Sequence, residues 1–272
     1  MSKMTDNRLP YAYIMGHSYS GSTLISFIMN QHSEVVSIGE VSYLGYLLPD
    51  RWKSRKGMCS CGKPYYYCNY WNRVLAIIAA NGVSLEGADF LNGELFGNRL
   101  DHYWKAAHWK KRWCTIHRKL GPLIRPWRHR RDARHSVFAR ALVEAAGKSI
   151  LLDSSKGAQR LLPIMENPAY NLKIINLLRD GRGVVNSYRK RYPDWDFEQI
   201  IRLWLKSEWR QKKLLSQYSK KQVLDIRYED FCQDPQASIV AICQFLDINS
   251  DEHLLDFFTG AEHHIIGSSV VF

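Results

Sequence analysis

Gly16-His17-Ser18-Tyr19-Ser20-Gly21-Ser22-Thr23 is the stretch that decides the fold. It follows the short apolar run Tyr11-Ala12-Tyr13-Ile14-Met15 and precedes Leu24 to Gln31, whose pattern is helical. A strand, a glycine-bounded loop and a helix start, in that order, make a phosphate cradle. Backbone N–H groups point inward, and the helix dipole favours an anion. The spacing is that of the Gly-x-x-x-x-Gly-Lys-[Ser/Thr] phosphate loop, except that Ser22 stands where the lysine belongs. Cleavage of a nucleoside triphosphate uses that lysine on the outer phosphates, so its absence argues for another phosphate ligand.

Beyond the loop, strand and helix signals alternate. Candidate strands are Tyr11–Gly16, Val35–Ser37, Ser149–Asp153, Leu172–Leu178 and Gln222–Arg227. The run Asn171 to Leu178 is mostly apolar, which suits a strand covered on both faces of a parallel sheet. Asp196 to Tyr218 has helical periodicity, with Ile200, Leu203 and Trp204 expected on one face. Pro235 sits where a helix running to about Leu246 takes its first residue. The fold class is therefore α/β: a three-layer α/β/α sandwich with a mostly parallel central sheet and a phosphate-loop-like site at the strand C-termini. The chain is read as one domain, 1–272, carrying a helical basic insertion over about 70–147.

Charge marks that insertion. The formal net charge is +12, yet between His102 and His135 eleven Lys/Arg stand against one acid, Asp132, so removing this segment leaves +2. Trp104, Trp109, Trp113 and Trp127 interleave with the cations. Such a segment is either a solvated helical insert or a surface that meets a polyanion, a sugar or an anionic membrane. Nucleic acid is not an expected partner, and oligomeric state is not legible. The first residues are polar and the longest helix-like apolar run, Val74 to Ala80, is far too short to span a bilayer, so a cytoplasmic location is expected. Cys59, Cys61 and Cys68 cluster, which in a cytosolic chain raises zinc before disulfides. A fourth ligand at the usual spacing is missing, so the expected metal set is none.

A second turn repeats the logic of the first. In Leu178-Arg179-Asp180-Gly181-Arg182-Gly183, followed by Ser187, an apolar strand ends in a basic glycine-rich turn that opens a helix. Arg179 can fork onto a phosphate and Ser187 can add a hydroxyl; the plainer reading is a charged turn capping a helix. Two anion-binding turns on one sheet point to a nucleotide with phosphates in two places.

Taken in order, Tyr19-Ser20-Gly21-Ser22-Thr23-Leu24, Ile38-Gly39-Glu40, Leu152-Asp153-Ser154-Ser155-Lys156, Arg179 to Arg182 with Ser187, and Arg227-Tyr228-Glu229-Asp230-Phe231 resemble the sulfotransferases that use 3′-phosphoadenosine 5′-phosphosulfate (PAPS). The resemblance extends to bacterial members with a Cys-x-Cys-Gly and later Cys-x-x-Trp segment, here Cys59 to Trp71. It implies that Ser18, Tyr19, Ser20, Gly21, Ser22 and Thr23 hold the 5′-phosphosulfate. It further implies that Arg179 and Ser187 hold the 3′-phosphate and that Tyr228 lies near the adenine. PAPS would be the cosubstrate and 3′-phosphoadenosine 5′-phosphate (PAP) the product, with no metal required.

The chain departs from the family at two places. Tyr19 stands where the family usually has Arg or Lys, leaving Lys156 or Arg182 to supply the cation. The stretch His263 to Phe272 resembles the His-x-x-x-Gly-Asn-x-x-Arg-Phe donor loop and keeps Gly267, but Ser268 and Val271 replace Asn and Arg. Sulfuryl transfer needs an acceptor hydroxyl or amine held in line, a base for its proton, and donors for the departing phosphate. Glu40 is the expected base, by resemblance to the placement of a catalytic Glu in tyrosylprotein and related sulfotransferases; His17 is its rival. Lys156 is expected on the leaving phosphate. The plain alternatives are a helix-terminal charge for Glu40 and a surface lysine for Lys156. The acceptor is expected to be a carbohydrate or small metabolite, with Tyr43, Tyr46, Trp52, Tyr65 and Tyr66 as either stacking or core aromatics. Two other classes stay open: a nucleotide or small-molecule kinase with a degenerate phosphate loop, and a non-catalytic polyanion-binding protein.

Overall fold

The computed structural model describes residues 7–40, 58–83, 132–256 and 263–264. The chain divides into two compact units, Met1–Val41 with Lys148–Phe272, and Ser42–Gly147.

The first unit is built on a five-stranded parallel sheet: β1 (Leu9–Gly16), β2 (Val35–Ser37), β3 (Ile150–Lys156), β4 (Tyr170–Leu178) and β5 (Val223–Arg227). The order across it is β2-β3-β1-β4-β5. Each strand stands where the apolar runs put it. Only β3 outruns its expected end, reaching Lys156 rather than Asp153. The cause is a set of partners for its polar residues: fully buried Asp153 accepts the Tyr11 hydroxyl at 2.8 Å and the Ser155 N–H at 2.9 Å. With its acid satisfied, the strand keeps pairing until Lys156 lies beside Met15.

Helices α1 (Ser22–Asn30), α4 (Ala158–Met165), α5 (Gly181–Arg191), α6 (Phe197–Leu215), α7 (Tyr228–Gln233) and α8 (Pro235–Leu246) complete this unit. Aspartates start three of them. Asp180 accepts the Arg182 N–H at 2.8 Å, Asp196 the Gln199 N–H at 3.1 Å and Asp234 the Ala237 N–H at 2.9 Å. Such caps contribute about 1 kcal/mol each. One face of the sheet buries Ala12, Ile14, Leu152, Ile175 and Leu177 against Ile25, Ile28, Ile239, Ile242 and Leu246.

In the second unit a bridge pairs Met58 with Pro64, a 3₁₀ turn covers Tyr65–Tyr67, and α2 (Asn69–Ala80) and α3 (132–146) are helical. Trp71 is fully buried, with Tyr65 and Tyr70 edge-on to it at 5.8 and 5.2 Å. Tyr65 is thus a core aromatic. Tyr43, Tyr46 and Trp52 lie outside the described residues, as does most of the basic segment expected over 102–135. Among the described residues no helix is long and apolar enough to cross a membrane.

Candidate active site at the C-terminal edge of the sheet

Register gathers the candidate residues. Gly16 pairs with Leu177, Met15 with Lys156 and Leu178 with Arg227, so the loop after β1, Lys156, Arg179 and Tyr228 all emerge at one edge. β1 lies between β3 and β4, and the chain builds outward from it on both sides. The crevice at such a switch point is where open α/β sheets take their ligands.

The loop 16–23 turns back on itself, the Ser20 N–H donating to the His17 carbonyl at 3.3 Å. Tyr19 and Gly21 adopt left-handed φ values of 65° and 91°. A Cβ at Gly21 would lie 2.4 Å from the Tyr228 ring, so only glycine lets that ring rest against the loop backbone. No side chain caps α1, which leaves its first-turn N–H groups directed into the cradle. Ser20 and Ser22 are buried, Tyr19 and Thr23 half-buried, and Ser18 exposed.

Two cations flank the loop, one at the end of β3 and one just past the end of β4. On the β3 side, the Lys156 ammonium donates to Glu40 Oε1; Lys156 itself has a left-handed φ of 63°. Glu40 is buried, and burial raises its carboxyl pKa above the ordinary value while Lys156 pulls it back down. On the β4 side, the Arg179 guanidinium donates to the Tyr19 carbonyl and sits 4.5 Å from the centre of the Tyr228 ring. Arg179 thereby joins the first loop, the second turn and Tyr228. Ser187 donates to the Gly183 carbonyl at 2.9 Å, within its own helix. Arg182 is held by Asp180 at 2.5 Å and is 92% exposed, so of the two cations expected to replace a basic residue at Tyr19, Lys156 is the one inside the site.

Helix α6 adds Glu208 and Gln211, which the apolar pattern passes over, beside Trp204, which it finds. Glu208 Oε1 lies 2.5 Å from buried His17 Nε2, Gln211 donates to the Gly16 carbonyl at 3.0 Å, and the Trp204 ring leaves no room for a Cβ at Gly181. The bond to His17 holds the Glu208 carboxyl pKa below its ordinary value. Leu203, expected beside Ile200 and Trp204, is 44% exposed; the inward stripe is Ile200, Trp204, Glu208, Gln211 and Leu214. Spacings of four, four, three and three residues were the available signal, hidden because two members are polar.

Gly267 lies outside the described residues. Nearby His264 is buried and stacks on Phe27 of α1 at 4.0 Å, where burial pushes its pKa down to about 3.

The sequence profile described as the sulfotransferase family matches residues 10–252. The chain belongs to that family. No curated protein sequence matches it. Among solved structures, the sulfotransferase domain of the Synechococcus PCC 7002 olefin synthase is similar at 19% identity and a TM-score of 0.55, covering 96% of this chain and 81% of that one. The sulfotransferase domain from the curacin biosynthetic pathway is similar at 18% identity and a TM-score of 0.52, covering 97% and 82%. A sulfotransferase from Mycobacterium tuberculosis H37Rv follows at 13% identity and a TM-score of 0.51, covering 96% and 73%. At these identities the likeness establishes the parallel α/β sulfotransferase fold.

Proposed function

We propose that this sulfotransferase moves a sulfuryl group from PAPS to a hydroxyl or amine of a carbohydrate or small metabolite. The observation that carries the reading is the pair of cations, Lys156 and Arg179, at the ends of the strands either side of a phosphate-loop-like turn that lacks the triphosphate lysine. The donor also suits Ser20, whose buried hydroxyl oxygen has no hydrogen-bond partner among the described residues. When bound, PAPS supplies the activated sulfuryl group.

The chain's own residues do the rest. The loop N–H groups other than that of Ser20, which is bonded to the His17 carbonyl, and the Ser20, Ser22 and Thr23 hydroxyls would hold the 5′-phosphosulfate. Arg179 forks onto the 3′-phosphate, and Ser187 joins it by exchanging its bond to the Gly183 carbonyl. Tyr228, flush with the loop at Gly21, offers its face to the adenine. Glu40 takes the acceptor proton as the acceptor atom bonds to sulfur. Lys156 has three N–H donors, so it can hold Glu40 and also meet charge arriving on the departing phosphate oxygen. Glu208 fixes the ring of His17 against the cradle wall. A phosphoryl-transfer reading is disfavoured by Ser22 in the lysine position.

Calorimetry without divalent metal tests the donor. PAP is expected to bind far more tightly than AMP, because only PAP presents a second anion to Arg179. Equal affinity for the two, or magnesium-dependent turnover of ATP, would overturn the assignment.

A further inference from the structure

Three cysteines of the second unit converge on one another. We infer that Cys59, Cys61 and Cys68 hold one zinc ion through their sulfur atoms. The inference does not depend on the identity of the sulfuryl donor.

The local fold explains how the sulfurs meet. After the bridge between Met58 and Pro64, the Gly62 N–H donates to the Cys59 carbonyl at 3.0 Å and the Cys59 N–H to the Lys63 carbonyl at 2.9 Å. This tight turn needs a left-handed residue at its end, and Gly62 supplies it with φ 81°. The 3₁₀ turn Tyr65–Tyr67 then brings the chain back, so that Cys68 opens α2 facing the turn. All three sulfur atoms lie within 4.8 Å of one another, and Cys61 Sγ is 3.7 Å from Cys68 Sγ. Tetrahedral zinc with bonds of about 2.3 Å spaces its sulfurs about 3.8 Å apart, so the Cys61–Cys68 pair has the spacing of two corners of that tetrahedron, and Cys59 lies within 4.8 Å of both.

Burial raises the pKa of the Cys59 and Cys68 thiols, and backbone N–H groups offset this in part. Cys59 sulfur receives a backbone N–H from Cys61, and Cys68 sulfur receives those of Tyr70 and Trp71 at the start of α2. Cys59 and Cys68 are buried and Cys61 is partly open, which leaves an entry path. Binding replaces three S–H bonds by three Zn–S bonds and releases three protons to solvent, with no redox change. Zinc takes a fourth ligand from outside this segment or from water. The ion would pin the turn to α2 and so fix the unit that buries Trp71.

The test uses the full-length, untagged protein from cells supplied with zinc. Elemental analysis should find about one zinc per chain. Exchange for Co²⁺ should give thiolate-to-metal charge transfer in the near ultraviolet together with tetrahedral d–d bands. Cys61→Ser and Cys68→Ser should each lower zinc content roughly tenfold or more. Cys232→Ser, altering an exposed cysteine outside the cluster, should retain the metal. Wild-type protein with under about a tenth of a zinc per chain would overturn the inference. A Co²⁺ form without thiolate charge transfer, or a native mass lower by about 2 Da from a disulfide, would also do so. Both wild-type readouts stand even where a serine variant fails to fold.

Discussion

Arg179→Ala removes the cation that ties the turn after β4 to the loop after β1. In the structure this guanidinium donates to the Tyr19 carbonyl and lies 4.5 Å over the Tyr228 ring. A fork onto a 3′-phosphate replaces one such neutral acceptor by two charged contacts, a net gain of about one charge-assisted bond. At about 1.5–3 kcal/mol for that bond, PAP should bind the variant roughly ten- to two-hundred-fold more weakly. AMP has no 3′-phosphate and should lose only the share due to the disturbed Tyr228 face, about 0.5–1 kcal/mol. Calorimetry of PAP and AMP against both proteins reads the difference directly, since the PAP-to-AMP affinity ratio should fall toward unity. The ratio also separates specific loss from general damage, because a misplaced loop weakens both nucleotides together. Parallel losses for PAP and AMP, or unchanged PAP affinity, would refute the reasoning.

A general base works deprotonated, so turnover should fall as pH drops through the Glu40 pKa, and burial puts that limb above the ordinary carboxylate value. Lys156→Ala removes the charge that lowers this pKa and should move the limb to higher pH, while Glu40→Gln should cut kcat by about 10²-fold or more with PAP affinity kept. Glu208→Ala frees the His17 ring and should weaken PAP about tenfold in calorimetry, with His17→Ala adding little on top of it. Asp153→Ala removes the buried acceptor of the Tyr11 hydroxyl and the Ser155 N–H together with the acid 3.5 Å from Arg160, and should cost about 3–5 kcal/mol in denaturant unfolding.

The strands were legible because a parallel sheet covered on both faces forces near-continuous apolar runs, as in Ile174 to Leu178, where Asn176 alone is polar. The first loop was legible through its two glycines, one of which must accept φ 91°. Helix α6 was read only in part. Apolar periodicity finds Ile200 and Trp204 but passes over Glu208 and Gln211, whose burial toward the loop depends on partners at His17 and Gly16 some 190 residues earlier. The strand extension to Lys156 was equally hidden, since Asp153 and Ser155 look like a strand end until Tyr11 and Asp153 are seen to satisfy them. Cysteine spacing raised zinc without deciding it. The turn at Gly62 and the start of α2 put the three sulfurs at metal-ligand distances, which spacing alone does not encode.

The cradle after β1 is proposed to carry a sulfuryl donor. The most direct measurement incubates the wild-type protein with sulfur-labelled PAPS and a panel of hydroxyl and amine acceptors, without divalent metal. Label should pass to an acceptor with one PAP formed per sulfate ester or sulfamate made, and Glu40→Gln should suppress both together. PAP appearing with no labelled acceptor, or transfer to an acceptor seen only with magnesium and ATP, would contradict the account.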